Sequence, residues 1–102
     1  MLRRVHQVDV TTYDALIIEA ARYYTLPPAL VKAMIAVESS FEPTAISPAG
    51  AQGLMQLIPS TAKAMKVHDV FDPRANVFGG TRYIRLLTND FNGDIQKTVA
   101  AY

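Results

Sequence analysis

One carboxyl in this chain stands where an apolar side chain is expected. From Pro27 the run PPALVKAMIAVESSFEP reads as a helix opened by prolines, whose missing N–H is no loss in a first turn. Val31, Met34 and Ile35 recur at helical spacing, and Glu38 takes the next place on that stripe, four residues after Met34. Pro43 closes the helical stretch, so Glu38 lies in or near its last turn, at the negative end of the helix dipole. Burial and the dipole both disfavour ionisation, which raises a carboxyl pKa and keeps the group able to donate a proton near neutral pH. The chemistry on offer is general acid catalysis. A glutamate on a short helix more often reaches to the rim or pairs with a cation, and this stretch alone does not separate the two readings.

Acid catalysis by a carboxyl often works with a second carboxyl as base or nucleophile. A convincing second one is missing here. Glu42 lies beyond the helix end beside Pro43, Asp69 and Asp72 fit turns and caps, and Asp90 and Asp94 flank a helix junction. With no cysteine, and with His6 and His68 far apart, neither a metal centre nor a cofactor is expected.

Around Glu38 the motifs accumulate. Glu38-Ser39, Ser47-Pro48, the run Gly50-Ala51-Gln52-Gly53-Leu54-Met55-Gln56, then Pro59 and Thr61, closely resemble the SLT-type lytic transglycosylases, relatives of goose-type lysozyme. Asn76, Gly79-Gly80 and Tyr83 resemble the family's later helix, and Ala101-Tyr102 resembles the start of its alanine-tyrosine-asparagine motif. The resemblance runs from about Tyr24 to Tyr102, and several motifs in the family's order and spacing make it specific.

The resemblance implies a catalytic domain of lysozyme-like fold acting on peptidoglycan glycan strands. In the implied mechanism Glu38 protonates the oxygen of the MurNAc–GlcNAc bond, then as carboxylate takes the proton of the muramic 6-hydroxyl, giving a 1,6-anhydro end without hydrolysis. Such a reaction needs no second carboxyl. Carried over position by position, Ser47 matches a serine near the acid, Tyr102 a tyrosine facing it, and Gln56 a glutamine that hydrogen-bonds the sugar, while Ser39 is expected to support the helix end. Gly53, Met55 and Ile58 fall on the groove-lining stretch, although methionine is equally at home in a core. Ile58 stands where many relatives have methionine, and Glu42 where many have asparagine. Two other functions stay open: hydrolysis of the same bond, as in goose-type lysozyme, and a module that binds peptidoglycan or serves as scaffold without cutting it.

The elements that must position these residues read as helices. Tyr13, Leu16, Ile17, Ala20, Ala21 and Tyr24 form an amphipathic stripe with Thr12 as its N-cap, and Thr25-Leu26-Pro27-Pro28 separates it from the Glu38 helix. Phe41 to Gly53 reads as an irregular loop, with Gly53 to Leu57 able to line a groove in extended form or simply to turn. Pro59 opens a short helix. Asp72-Pro73 caps a long one carrying Val77, Gly80, Ile84, Leu87 and Phe91 on one stripe, and Asp94 caps a last one in which Ile95, Thr98, Val99 and Tyr102 share a face. The paired glycines within the long helix predict close helix packing. The fold class is all-α, with room for a small extended or β element near residues 53–57.

At 102 residues the chain is one domain, residues 1–10 reading as an extended lead-in and 11–102 as the SLT-type domain. Charged residues break every apolar run long before the roughly 18 residues of a membrane span. A net charge of +1, with both signs interspersed, argues against nucleic acid as a partner. Met1-Leu2-Arg3-Arg4 starts like an export signal, but His6, Gln7 and Asp9 interrupt any apolar core. The resemblance places the substrate in the periplasm or cell envelope, so the chain is expected to be a piece of an exported protein, incomplete at its C-terminal end. On that expectation Ile95 and Val99 are exposed, Tyr102 is poorly placed beside Glu38, the fragment is weakly active, and a homodimer or domain-swapped assembly forms.

Overall fold

The helix that carries Glu38 is α2, Pro28–Ser39, with Pro27 as its extended N-cap. The structure, a computed structural model describing residues 9–102, places four further helices around it: α1 (Asp14–Tyr23), α3 (Pro59–Ala64), α4 (Pro73–Asp90) and α5 (Ile95–Ala101). The lead-in expected over residues 1–10 lies almost wholly outside the described residues.

α1 packs against both α2 and α4, while α3 and α5 pack on α4. Ile17, Ala20 and Ala21 of α1, Val31, Met34 and Ile35 of α2, and Val77 and Ile84 of α4 meet in one core with Leu26, Phe41, Leu54 and Met55. The apolar stripes read from the sequence are thus the faces that meet. The α4 stripe differs in its C-terminal half: Leu87 and Phe91 are half-buried, and Thr81 and Thr88 are buried instead. Threonine is tolerated there because each hydroxyl donates to the carbonyl four residues back, Thr81 to Val77 (2.6 Å) and Thr88 to Ile84 (2.8 Å), so no polar group is left unpaired.

Helix ends follow local chemistry, with two departures from expectation. Thr12 does not cap α1. Asp9 gathers the Thr11 N–H (2.8 Å) and hydroxyl (2.6 Å) into a turn, and the helix starts after Tyr13 without a side-chain cap. Nor does Pro43 end α2. The stop comes earlier, at Ser40 and Phe41, both left-handed with φ of 50° and 63°, which swings the Phe41 ring back into the core. Asp72 and Asp94 cap α4 and α5 as expected, accepting from the N–H groups of Ala75 (2.8 Å) and Lys97 (3.1 Å).

No strand forms among the described residues. Gln52 makes isolated antiparallel bridges to Ile46 and Leu57, and residues 53–56 between them are a tight turn rather than an extended segment. This turn explains the glycine pair of α4. A Cβ on Gly80 would sit 2.5 Å from the Met55 sulfur and 2.8 Å from its Cβ, and one on Gly79 would overlap a Val67 methyl. The close packing expected there exists, but against turn and loop rather than a second helix. Gly80→Ala should therefore lower stability by about 1–3 kcal/mol despite alanine's better helix propensity, read as a lower urea midpoint at unchanged m. An unchanged or higher midpoint would show that Met55 has room to move.

Candidate active site

Glu38 is the penultimate residue of α2, where the buried stripe meets the surface. Leu30, Ala33, Met34 and Val37 recur at helical spacing beside it, and together with Val99 and Tyr102 they wall a cavity of about 250 Å³ in which Glu38 supplies the one carboxyl. Val37 is 84% exposed at the rim of this cavity. The Glu38 carboxyl is half-buried and makes no hydrogen bond or ion pair with any described residue. Burial alone raises its pKa above the ordinary 4.5.

Tyr102 closes the other side. Its hydroxyl donates to the Met55 carbonyl (2.8 Å), and its ring leans on Tyr83 with centroids 5.4 Å apart. Burial, then the nearby Glu38 charge, then Tyr83, push the phenol far above its usual range, so it stays a neutral donor. The expectation that Tyr102 would sit poorly beside Glu38 is thus corrected, because the Met55 carbonyl and the Tyr83 ring hold it in the wall. On its far side Tyr102 lines a second, smaller hollow of about 70 Å³ with Gln56, Leu57, Ile58, Thr61 and Tyr83. Two hollows that meet at one phenol, with a protonatable carboxyl in the first, make a groove.

The family described as Transglycosylase SLT domain matches residues 15–102. The chain belongs to that family. A "Transglycosylase" of Enterobacteria phage PRD1 is 40% identical over 83 residues, covering 81% of this chain and 31% of that protein. "Membrane-bound lytic murein transglycosylase F 1" of Alkalilimnicola ehrlichii is 36% identical over 84 residues, covering 82% of this chain and 17% of that protein. Among solved structures, the 70 kDa soluble lytic transglycosylase of Escherichia coli superposes with a TM-score of 0.81 at 27% identity, over 90% of this chain and 16% of that one. An inactive glutamate-to-glutamine mutant of lytic transglycosylase Slt from Pseudomonas aeruginosa gives 0.78 at 28% identity, over 82% and 15%. The fold is that of the lytic transglycosylases, and the chain spans less than a third of the length of these relatives.

Within this SLT domain the expected site residues do not all gather at the groove. Glu38, Tyr102, Gln56 and Ile58 line it. Ser39 lies beside Glu38 with its hydroxyl donating to the Ile35 carbonyl (3.1 Å) in the last turn of α2. Ser47 lines neither hollow; its hydroxyl accepts from the Ala51 N–H (3.0 Å) and ties its own loop together. Gln56 donates both amide hydrogens inward, to the carbonyls of Ala45 (3.0 Å) and Gly53 (2.8 Å), so toward a sugar it has an acceptor to offer and no donor.

Met55 and Gly53 are corrections. Met55 is fully buried, its side chain filling the space left by Gly80, so it reaches the site through its carbonyl on Tyr102 and not through contact with a ligand. Gly53 is buried with φ +82°, and a side chain there would collide with Asn76; the close approach it permits is to that side chain. Asn76, named by the motif but given no role from the sequence, organises the turn. Its Oδ1 accepts from the Met55 N–H (2.7 Å) while its Nδ2 donates to the carbonyls of Gln52 (3.1 Å) and Val70 (2.8 Å). The α2 residues Leu30, Ala33 and Val37 were missed as well, although their helical spacing was visible.

Proposed function

We propose that this domain cleaves the MurNAc–GlcNAc bond of peptidoglycan without water, as a lytic murein transglycosylase. The observation that carries the proposal is Glu38, a half-buried carboxyl with no hydrogen-bond or ion-pair partner among the described residues, in a groove walled otherwise by apolar groups and a neutral phenol. Protonated Glu38 gives its proton to the glycosidic oxygen as the bond to the muramic anomeric carbon breaks, and the leaving sugar departs with a new 4-hydroxyl. The neighbouring N-acetyl oxygen shields the charge that develops. Glu38, now a carboxylate, removes the proton of the 6-hydroxyl as that oxygen closes on the anomeric carbon, and the acid is restored with a 1,6-anhydro ring as product. The apolar walls favour the neutral carboxyl that the first half-reaction needs.

A relative named as a membrane-bound lytic murein transglycosylase and a soluble lytic transglycosylase of similar fold support this reading, the first of them also a location in the cell envelope. So does the inactivity of a glutamate-to-glutamine mutant in a relative of similar fold. Hydrolysis by the two-carboxyl route finds less support: Glu42 is turned to the Thr44 N–H (3.2 Å) and hydroxyl (2.8 Å) of its own loop, and no other carboxyl lines the groove. Digestion of purified peptidoglycan followed by mass spectrometry tests the proposal. Anhydro-muropeptides are the expected products, and reducing ends in their place would make the domain a hydrolase. We also propose that the chain self-associates, on the ground that Ile95 and Val99 of α5 are 40% and 45% exposed; sedimentation at several concentrations reads it.

The raised carboxyl fixes the sign of the pH dependence. Protonated Glu38 is the starting form, so activity should hold at low pH and fall as pH rises through a Glu38 pKa that lies above the ordinary 4.5. Following the Glu38 side-chain carbonyl by NMR should give that same midpoint. Titration at or below the ordinary value would remove the physical basis for the acid role.

A further inference from the structure

Asn76, Gly79-Gly80 and Tyr83 stand out in the sequence of α4, yet Tyr83 has no part in the proton transfers proposed above. Asn76, Gly80 and Tyr83 are spaced i, i+4, i+7, which puts them on one face of the helix. That face meets the Met55 turn and Tyr102. Asn76 accepts from the Met55 N–H (2.7 Å), Gly80 leaves the space that the Met55 side chain fills, and the Met55 carbonyl accepts from the Tyr102 hydroxyl (2.8 Å). Tyr83 continues the row by placing its ring against that of Tyr102, with centroids 5.4 Å apart and planes inclined at 51°. It is half-buried and lines the smaller hollow, and its hydroxyl makes no hydrogen bond with any described residue.

A single hydrogen bond fixes one atom of a phenol. The Tyr102 ring is still free to swing about its hydroxyl, and its backbone hangs on α5, a helix of seven residues that packs on α4. Tyr83 supplies the second point of contact, as the one ring stacked on Tyr102 among the described residues. We propose that Tyr83 is a positioning residue for the cleavage reaction, acting through Tyr102, whose ring it holds as the wall of the larger cavity beside Glu38. The inference rests on the glycan-cleaving function proposed above and adds a residue to it. Its consequence falls on Glu38. Tyr102 is the one titratable group that shares that cavity with Glu38; the charged side chains on the packing elements, Lys32 of α2, Arg82 and Arg85 of α4, and Asp94 and Lys97 at α5, do not line it. Because burial is what raises the Glu38 pKa, a displaced Tyr102 admits water and returns that pKa toward the ordinary 4.5.

The test compares Tyr83→Phe and Tyr83→Leu with the parent in two readouts, cleavage of a soluble peptidoglycan fragment and titration of Glu38 by NMR. Phenylalanine keeps the ring and should match the parent in kcat and in the Glu38 midpoint. Leucine removes it and should lower kcat roughly tenfold, within what a misplacement of about 1 Å costs, while the pH at which activity falls and the Glu38 midpoint both move downward. Tyr83→Met, which fills the space with a flexible chain, should behave as leucine does, so the result does not hang on the folding of one variant. Parental kcat and an unmoved Glu38 midpoint in the folded leucine or methionine variant, whatever its urea midpoint, would overturn the proposal. So would a loss confined to KM, the mark of a ring that only lines the hollow, or an equal loss with phenylalanine, which would assign the effect to the hydroxyl. The Glu38 titration does not depend on turnover. If the parent cuts no glycan, the function proposed above fails, whereas a Glu38 midpoint that falls with leucine and not with phenylalanine still supports Tyr83 as the residue that sets Tyr102.

Discussion

Replacing Glu38 by glutamine should lower peptidoglycan cleavage by at least ~100-fold, the lower range of general acid catalysis, while leaving the fold intact. The amide has the size and shape of the carboxyl but can neither give up a proton to the glycosidic oxygen nor take one from the 6-hydroxyl, so both half-reactions lose their proton carrier. The structure also indicates why the fold should not suffer. The Glu38 carboxyl makes no hydrogen bond or ion pair among the described residues, and the last turn of α2 is held by the Ser39 hydroxyl on the Ile35 carbonyl and by Phe41 in the core. Burial raises the folded-state pKa, so the favourable contribution of the neutral form is complete below the unfolded value and is lost as pH rises through the folded one. Above that pH, glutamine removes a desolvated charge, and the melting temperature should be equal to or higher than that of the parent. Cleavage at the parent rate by a cleanly folded Glu38→Gln protein would refute the assignment.

Asn76→Ala should be the most damaging substitution for stability, at about 3–6 kcal/mol, because it leaves one buried N–H and two carbonyls without their partner. The side chain is fully buried and joins α4 to the Met55 N–H and to the Gln52 and Val70 carbonyls. A domain of this size has roughly 5–15 kcal/mol in total, so the loss removes a large part of its margin. The site should suffer with it, since the Met55 carbonyl that holds the Tyr102 hydroxyl belongs to the same turn. Aspartate is no remedy: it can still accept from Met55, but it turns two donated hydrogen bonds into oxygen–oxygen repulsion. Urea unfolding reads the effect, and a cost below ~1 kcal/mol for the alanine variant would mean that these hydrogen bonds are readily replaced by water.

Much of this molecule is legible along the chain because the forces concerned act over a few residues. Prolines at positions 28, 59 and 73 stand in the first turns of α2, α3 and α4, and Asp72 and Asp94 cap where their spacing indicates. Glu38 is conspicuous because 3.6-residue periodicity alone puts a carboxyl on an apolar stripe. Thr12 and Pro43 misled for an equally local reason, since other short-range choices, the Asp9 turn and the left-handed Ser40, came first in the chain.

What the periodicity of α2 could not reveal is which of its apolar residues lack a partner. Val31 and Ile35 enter the core while Leu30, Ala33 and Val37 wall the groove, and nothing in a valine or leucine distinguishes the two fates until other elements are packed around the helix. Met55 and Gly53 were misread in the same way. The sequence by itself determined the helices, several of their caps, the presence of a carboxyl on an apolar stripe and the need for small residues at positions 79 and 80. Only the tertiary structure decided that Met55 fills the space over Gly80, that Asn76 holds the turn 21 residues back in the chain, and that Tyr102 reaches 47 residues back to the Met55 carbonyl to stand beside Glu38. A cap or a turn lies within reach of its own neighbours, whereas a groove is the space between surfaces that the chain brings together only when the whole core forms.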